Sequence, residues 1–236
     1  MSGVRLAELT KHYKRGSEVI RALDGVTLDI DKGDFVAVVG RSGSGKTTML
    51  DLLGLLLKPT AGHLFIDDVD TTRLNDRERA HMRARKVGFV FQEYNLLSGL
   101  NVLENVMLPQ RYVKDGEAGK QRAIELIDRV GLADRIKHKP SELSGGQMQR
   151  VAIARSMVNK PSLILLDEPT GAVDTETAQQ LVDLLKVLNS QEQVTIVLVT
   201  HDVDIAAQAR RQIRLKDGKV LSDERIGEAR EAVTAG

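Results

Sequence analysis

The chain has 236 residues, of which 42% are apolar and 28% charged, and its formal net charge is +1. This apolar content can supply a full hydrophobic core, which excludes a chain dominated by disorder. The near-neutral charge disfavours general nucleic-acid binding, which needs a concentrated basic surface, and the lack of cysteine excludes disulfides and thiolate metal sites.

The apolar stretches are too short to cross a membrane. The run at residues 49–57 is interrupted by Asp51 and falls well short of the roughly 18–20 residues that span a bilayer. No secretory signal pattern opens the chain either. We therefore expect any membrane-spanning part of a larger assembly to be another polypeptide.

Residues 4–31 alternate between apolar and polar side chains. Val26, Leu28 and Ile30 are separated by polar residues, which predicts half-buried antiparallel strands. The apolar run at residues 35–39 predicts a buried strand.

Residues 40–48 read GRSGSGKTT, a glycine-rich loop between that strand and a helix beginning near Lys46. Glycines let successive N–H groups face phosphate oxygens, the Lys46 ammonium can reach the β- and γ-phosphates, and the Thr47 hydroxyl can bind Mg²⁺. A turn that merely connects strand and helix is the alternative, and the complete motif in its strand–loop–helix context disfavours it. The predicted nucleotide-binding residues are Gly40, Arg41, Ser42, Gly43, Ser44, Gly45, Lys46, Thr47 and Thr48.

Two segments between the loop and the next motif are predicted to be helical. Residues 73–86 carry six basic residues with Asp76 and Glu78 between them, which favours a solvated helix over a surface that contacts a membrane or partner. Residues 93–159 contain an apolar helical face that ends near Gly131. The leucines and valines of residues 93–109 exceed what a small surface loop exposes, so we expect internal packing to explain about half of them and another protein to contact the rest.

Residues 143–147 read LSGGQ. Ser144 stands where an N-cap is expected, Gly145 and Gly146 expose N–H groups, and residues 147–158 predict a helix. Such a helix start can bind an anion, although an ordinary turn that caps a helix remains the alternative.

The run LILLDEP at residues 163–169 predicts a central parallel strand that brings Asp167 and Glu168 to its carboxyl end. Asp167 is interpreted as the magnesium partner and Glu168 as the carboxylate that orients or deprotonates the attacking water. The alternative is an acidic pair that only caps the following helix.

His201 follows a second apolar run, at residues 194–199. We expect it to approach the γ-phosphate beside Glu168 and to position water as a hydrogen-bond donor; the alternative is an ordinary surface histidine. Asp217-Gly218 predicts a hairpin, and the tail from Asp223 predicts a short helix or frayed end.

LSGGQ followed by LLDEP resembles the nucleotide-binding subunits of ATP-binding cassette (ABC) transporters over nearly the whole chain. The resemblance implies an α/β fold: a RecA-like P-loop NTPase core with a mixed sheet and an N-terminal antiparallel β-subdomain (residues 1–92 and 160–222), an inserted helical subdomain (93–159) and a tail (223–236).

The same resemblance implies further residue roles. Tyr13 would stack on adenine, although it could equally pack on the sheet. Gln92 would link Mg²⁺ to the transport interface and take part in catalysis, and His201 would act as a switch. A signature sequence would contact ATP from the partner subunit; its residues are Leu143, Ser144, Gly145, Gly146 and Gln147. A loop would cross the dimer interface; its residues are Gly171, Ala172, Val173 and Asp174, with Val173 where leucine is commoner.

The implied function is an ATP-hydrolysing motor that closes as a homodimer around two ATP molecules with Mg²⁺. Its partner would be an integral membrane permease on a separate chain at the cytoplasmic face, and no nucleic acid is expected. Residues 92–109 and 169–172 are similar to the lipoprotein-releasing and macrolide-exporter branch. Alternatives are a regulatory ABC ATPase of a cell-division or cell-envelope complex without cargo, a soluble cassette acting on ribosomes or DNA, and a P-loop kinase or GTPase, in which LSGGQ would have no role.

Overall fold

The computed structural model describes residues 2–113 and 116–226. In chain order, its strands are β1 (Ser2–Arg15), β2 (Glu18–Asp31), β3 (Phe35–Val39), β4 (Ala61–Ile66), β5 (Val69–Asp70), β6 (Val87–Val90), β7 (Leu163–Asp167), β8 (Thr195–Val199), β9 (Arg211–Lys216) and β10 (Lys219–Arg225). Its helices are α1 (Lys46–Leu53), α2 (Asp76–Lys86), α3 (Val102–Met107), α4 (Gly116–Arg129), α5 (Gly145–Met157), α6 (Thr175–Glu192) and α7 (Val203–Ala206). Four short 3₁₀ turns connect these elements at Thr71–Arg73, Leu108–Tyr112, Ala133–Arg135 and Pro140–Glu142.

The strands form two sheets. The antiparallel sheet has the order β2-β1-β4-β5, and the six-stranded sheet has the order β10-β9-β3-β8-β7-β6. In the six-stranded sheet, only β10 is antiparallel to its neighbour. The predicted α/β fold with a mixed sheet and an N-terminal antiparallel sheet is therefore confirmed.

The six-stranded sheet is packed on both faces, and alternate residues of its strands belong to different hydrophobic clusters. Val36 and Val38 of β3 join the cluster that contains the buried face of α1. Phe35 and Ala37 join a second cluster, shared with residues of α3 to α6. Strands buried on both faces read as continuous apolar runs, which explains their sequence pattern.

The helices of residues 93–159 share that second cluster with the sheet. Gly88 of β6 lies against α5, where an added Cβ would stand 2.2 Å from the Ser156 carbonyl oxygen. Val102 and Val106 are fully packed and Leu97 is more than half exposed, so the expected division of residues 93–109 between internal packing and contact with another protein stays a prediction. The proposed division into a core and a helical subdomain stays a prediction.

The predicted cap of α5 is present, and the helix begins at Gly145, directly after its N-cap Ser144. Two local expectations differ from the structure. Arg79 of the supposedly solvated α2 is buried, since its guanidinium donates to the carbonyls of Leu55 and Leu57 at 3.0 Å.

The start of the tail also differs from its prediction. Strand β10 continues to Arg225 because it pairs with β9 and because Asp223 accepts two hydrogen bonds from Arg211, at 2.7 and 2.6 Å. The predicted hairpin at Asp217-Gly218 is present, with φ of 49° and 76°. The prediction for residues 227–236 lies outside the described residues.

Within the described part of the chain, no helix combines the length and the apolar character that crossing a bilayer requires.

Candidate active site

The loop of residues 40–45 connects β3 to α1, and backbone atoms of β2 and of the β9–β10 turn contact it on one side. Gly45 has φ of 105°, and a Cβ there would lie 2.3 Å from the Ala22 carbonyl oxygen. Gly218, in the β9–β10 turn, donates from its N–H to the Ser44 carbonyl at 3.1 Å. Strand β2 and the hairpin thus fix the loop from one side, and only glycine fits at position 45.

The other side of the loop is open. Gly43 has φ of 78°, and a Cβ added there would meet no atom within 4 Å. The Lys46 Nζ donates to the carbonyls of Gly40 and Arg41 at 2.8 and 3.1 Å, so the ammonium lies within the curve of the loop. Among the described residues, no side chain caps α1, whose first N–H groups can therefore serve an anion.

The Asp167 carboxylate is close enough to this ammonium, and to Glu168 and Asp51, for their charges to act on it. Burial raises the pKa of Asp167, the negative charges of Glu168 and Asp51 raise it further, and Lys46 opposes the shift. Burial also raises the pKa of Asp51. A carboxylate whose charge is disfavoured by burial and by neighbouring carboxylates, as that of Asp167 is, would be stabilised by a bound cation, and its oxygen donors suit Mg²⁺.

Glu168 and His201 come together because β7 and β8 are parallel neighbours. The Glu168 N–H donates to the Val199 carbonyl at 3.0 Å, and the Glu168 carboxylate lies 2.9 Å from His201 Nδ1. The His201 side chain is 75% exposed and that of Glu168 is 17% exposed. The histidine therefore faces solvent while the carboxylate is recessed beneath it.

Gln92 lies at the same edge of the sheet because it follows β6, the parallel neighbour of β7, and the loop after Glu168 lies beside it. The Gly171 N–H donates to the Glu168 carbonyl at 3.0 Å, and the Gln92 Nε2 lies 3.1 Å from where a Gly171 Cβ would stand. Asp174 ends the loop by capping α6, and its bonds from Thr177 lower its pKa. Ala172 is exposed and Val173 packs against the core.

The LSGGQ segment starts α5 with a reciprocal cap. Ser144 Oγ accepts from the Gln147 N–H at 3.3 Å, and Gln147 Oε1 accepts from the Ser144 N–H at 2.9 Å. Leu143 is buried, and a Cβ at Gly146 would lie 2.5 Å from Thr177 Cγ2. Gly146 therefore also permits close packing of α5 on α6, a role that the sequence analysis missed.

The predicted set is not gathered into one cavity. A cavity of about 760 Å³ is lined by residues 40–44 and by His201, together with parts of α7, β9 and β10. Residues 143–147 are not among the described residues that line it. Tyr13 lies in the β1–β2 hairpin with its side chain 37% exposed and the Lys11 Nζ 5.2 Å from its ring centroid, so it is not part of the core.

Asp51, to which the sequence analysis gave no role, is a half-buried carboxylate whose charge acts on Asp167. It stands four residues after Thr47 in α1, and residues at this spacing share a helix face. That spacing is a signal by which the sequence could have identified it.

Comparisons with known proteins agree with this geometry. Residues 23–171 match the ABC transporter family. The ABC transporter ATP-binding protein MJ0796 of Methanocaldococcus jannaschii is 47% identical over 228 residues, which cover 94% of this chain and 97% of that protein. A dimeric structure of the MJ0796 cassette in a post-hydrolysis state, bound to ADP and Pi, covers 94% of this chain and 98% of its own, with a TM-score of 0.86 and 46% identity.

The macrolide export ATP-binding/permease protein MacB of Syntrophobacter fumaroxidans is 45% identical over 223 residues, which cover 93% of this chain. The matched region is 31% of MacB, so this chain spans about a third of that relative's length. The family match, the relatives and the fold together show that the chain belongs to the ABC transporter family, as an ATP-binding cassette that hydrolyses ATP.

Proposed function

We propose that this chain is the motor subunit of a membrane transporter or force-transmitting complex and works as a homodimer that closes around two ATP molecules. The observation that carries the proposal is the separation of two anion-binding elements. The phosphate loop follows β3, whereas the Ser144 end of α5 packs on α6 and does not line the cavity beside the loop. A second copy can bring its own Ser144 end to the open side of the loop.

The dimeric structure of MJ0796 bound to ADP and Pi supports this arrangement. In the closed dimer, Lys46 and the first N–H groups of α1 bind the phosphates from one side, and Ser144 to Gln147 of the second copy bind from the other. Tyr13 stacks on adenine, and residues 171–174 pass between the two copies. The γ-phosphate then holds the two chains together until it is hydrolysed.

Within each site, we assign Thr47, Gln92 and Asp167 to Mg²⁺. The metal would neutralise charge on the β- and γ-phosphates. Glu168 orients the attacking water and accepts its proton, and His201 donates a hydrogen bond to the phosphate that is being released. The bond between His201 Nδ1 and Glu168 keeps these two groups in register, and a simultaneous bond from Nε2 to the phosphate requires the imidazolium, because a neutral imidazole has only one N–H.

We assign membrane crossing to a permease on a separate chain, with the cassette at the cytoplasmic face. MacB's name joins ATP binding to a permease, and the 45% identity over its matched third supports a comparable partner for this cassette. Affinity purification from detergent-solubilised membranes tests this assignment. Recovery of an integral membrane protein would support it, and recovery of ribosomes or DNA instead would contradict it.

The dimer is tested with Glu168→Gln, which should bind ATP but hydrolyse it at least about 100-fold more slowly, because the group that accepts the water's proton is lost. With ATP and Mg²⁺, size-exclusion chromatography with light scattering should show twice the 26.0 kDa chain mass. Lys46→Ala in the same background is the control and should stay monomeric, because its nucleotide affinity is lost.

Mixing two defective chains tests the head-to-tail arrangement. Both chains carry Glu168→Gln. One also carries Lys46→Ala, which removes phosphate binding by the loop, and the other carries Ser144→Arg, which blocks the start of α5. Each chain alone should remain monomeric. Mixed together, they can form one intact site and should give a heterodimer. A mixture that stays monomeric while Glu168→Gln alone dimerises would contradict the trans contact.

A further inference from the structure

The two residues that follow Glu93 have an unusual backbone. Tyr94 and Asn95 have φ of 57° and 48°, in the left-handed region that disfavours residues with a Cβ. They stand two and three residues after Gln92, so their conformation directs the course of the chain that carries the Gln92 side chain. Two consecutive residues of this kind persist only where surrounding contacts hold them.

Those contacts come from Arg155, in the last turn of α5. Its Nη2 donates to the Tyr94 carbonyl at 2.8 Å and its Nη1 donates to the Asn95 carbonyl at 2.6 Å. The guanidinium is half-buried, and burial lowers its pKa, yet arginine remains charged in proteins. A charged donor makes stronger bonds, and its rigid fork matches two consecutive carbonyls as an ammonium cannot.

The Tyr94 side chain extends from this clamped backbone to two other motifs. Its hydroxyl donates to the Ala172 carbonyl at 3.5 Å and lies 2.8 Å from where a Cβ on Gly145 would stand. Gln92 itself lies beside Gly171. One short segment therefore touches the start of α5 and the loop that follows Glu168.

We propose that Arg155 is a positioning residue: its guanidinium holds Tyr94 and Asn95 in the left-handed conformation and thereby sets where Gln92 stands relative to Asp167 and Glu168. Arg155 touches no reacting atom and acts through the backbone of residues 94–95. The inference rests on the proposed function, because it takes Gln92 to be a magnesium residue.

The test measures the Mg²⁺ concentration that half-saturates ATPase activity of the full chain. Arg155→Lys, which loses the fork, should raise this concentration about three- to tenfold. Binding of a fluorescent ATP analogue in EDTA should stay unchanged, because Lys46 and the phosphate loop are untouched. Arg150→Lys is the matched control: Arg150 lies on the same helix but donates to Val130 and Gln180, and its variant should not shift the Mg²⁺ dependence.

A rescue separates positioning from simple stabilisation. Glycine adopts a φ near 48° without strain. Adding Asn95→Gly to Arg155→Lys should therefore reverse at least half of the increase in the half-saturating Mg²⁺ concentration, measured on a logarithmic scale. The same glycine should leave the melting temperature close to that of Arg155→Lys, because relief of the positive φ offsets the freedom that glycine adds to the unfolded chain. Recovery of the Mg²⁺ response without recovery of the melting temperature supports positioning, and no recovery of the Mg²⁺ response overturns it.

A second variant covers failure of Arg155→Lys to fold. Asn95→Val changes an exposed side chain and leaves α5 intact, but a β-branched residue resists the left-handed conformation. It should raise the half-saturating Mg²⁺ concentration in the same direction, and a wild-type value would overturn the inference. Gln92→Ala is the reference variant. If it shifts the half-saturating Mg²⁺ concentration and the Arg155 and Asn95 variants do not, the positioning role of Arg155 is rejected and the magnesium role of Gln92 stands. If none of the variants shifts it, both roles are rejected.

Discussion

The phosphate loop and the segment after Gln92 are positioned in different ways. The loop of residues 40–45 is fixed by backbone groups of β2 and the β9–β10 turn, which approach so closely that only glycine fits at Gly45. The segment at Tyr94 and Asn95 also has left-handed backbone, but residues with side chains adopt it and the side chain of Arg155 holds it.

This difference separates a rigid part of the site from an adjustable one. Backbone packed on backbone has few alternative arrangements, so we expect the loop to keep one conformation. A segment held by two hydrogen bonds from one side chain can take another course when those bonds break. The structure thus combines a loop fixed by backbone packing with a segment that is bonded to α5, the helix that begins with the LSGGQ sequence.

The largest expected effect tests the rigidity of the loop. Gly45→Ala should destabilise the fold by more than about 3 kcal/mol, because its Cβ meets the Ala22 carbonyl in addition to the strain of a positive φ. ATPase activity should fall at least about 100-fold. Urea unfolding and steady-state ATPase assays measure the two effects.

Gly43→Ala is the matched control in the same loop. Its φ is also positive, but its Cβ would enter open space, so the expected cost is only about 1–2 kcal/mol. Equal losses of stability in the two variants would show that backbone packing does not fix the loop.

A smaller effect is expected at the exposed end of the site. His201→Ala should lower kcat by about 100-fold through loss of a donor to the phosphate, while the KM for ATP stays within about twofold. Stability should change by less than about 0.5 kcal/mol because the His201 side chain is mostly exposed. A rise in KM without a fall in kcat would place this residue in nucleotide binding instead.

The smallest effect concerns the carboxylate cluster without Mg²⁺. The folded-state pKa of Asp167 is raised, so its ionisation opposes folding above that pKa, and this penalty is relieved as the pH falls through it. Asp167→Asn should therefore raise the melting temperature in EDTA at pH 8, where 1 kcal/mol corresponds to about 2–4 °C for a domain of this length. The difference from wild type should shrink as the pH falls through the raised pKa of Asp167; a variant that melts lower than wild type at pH 8 would contradict the assigned repulsion.

The sequence predicted those strands and caps that depend on residues close together in the chain. The apolar runs of β3, β7 and β8 and the Ser144 cap follow from neighbouring residues, and parallel strand ends bring Glu168 beside His201. The roles of the site residues remain predictions.

The features that sequence reasoning missed depend on contacts between distant residues. Arg155 meets a segment 60 residues earlier, and Arg79 is buried by carbonyls more than 20 residues away. Asp223 belongs to a strand because Arg211 of the neighbouring strand binds it. No spacing or periodicity around these three residues indicates such partners, since each bond exists only once the chain has folded.

The cap of α5 affects how the proposed dimer can open and close. Ser144 Oγ accepts the Gln147 N–H with a lone pair, and a hydroxyl also carries one proton that it can donate. In the proposed arrangement, that proton can bond to a phosphate oxygen while the cap stays intact. Association then adds a hydrogen bond without breaking one inside the helix, so repeated rounds of ATP turnover need not unwind the first turn of α5.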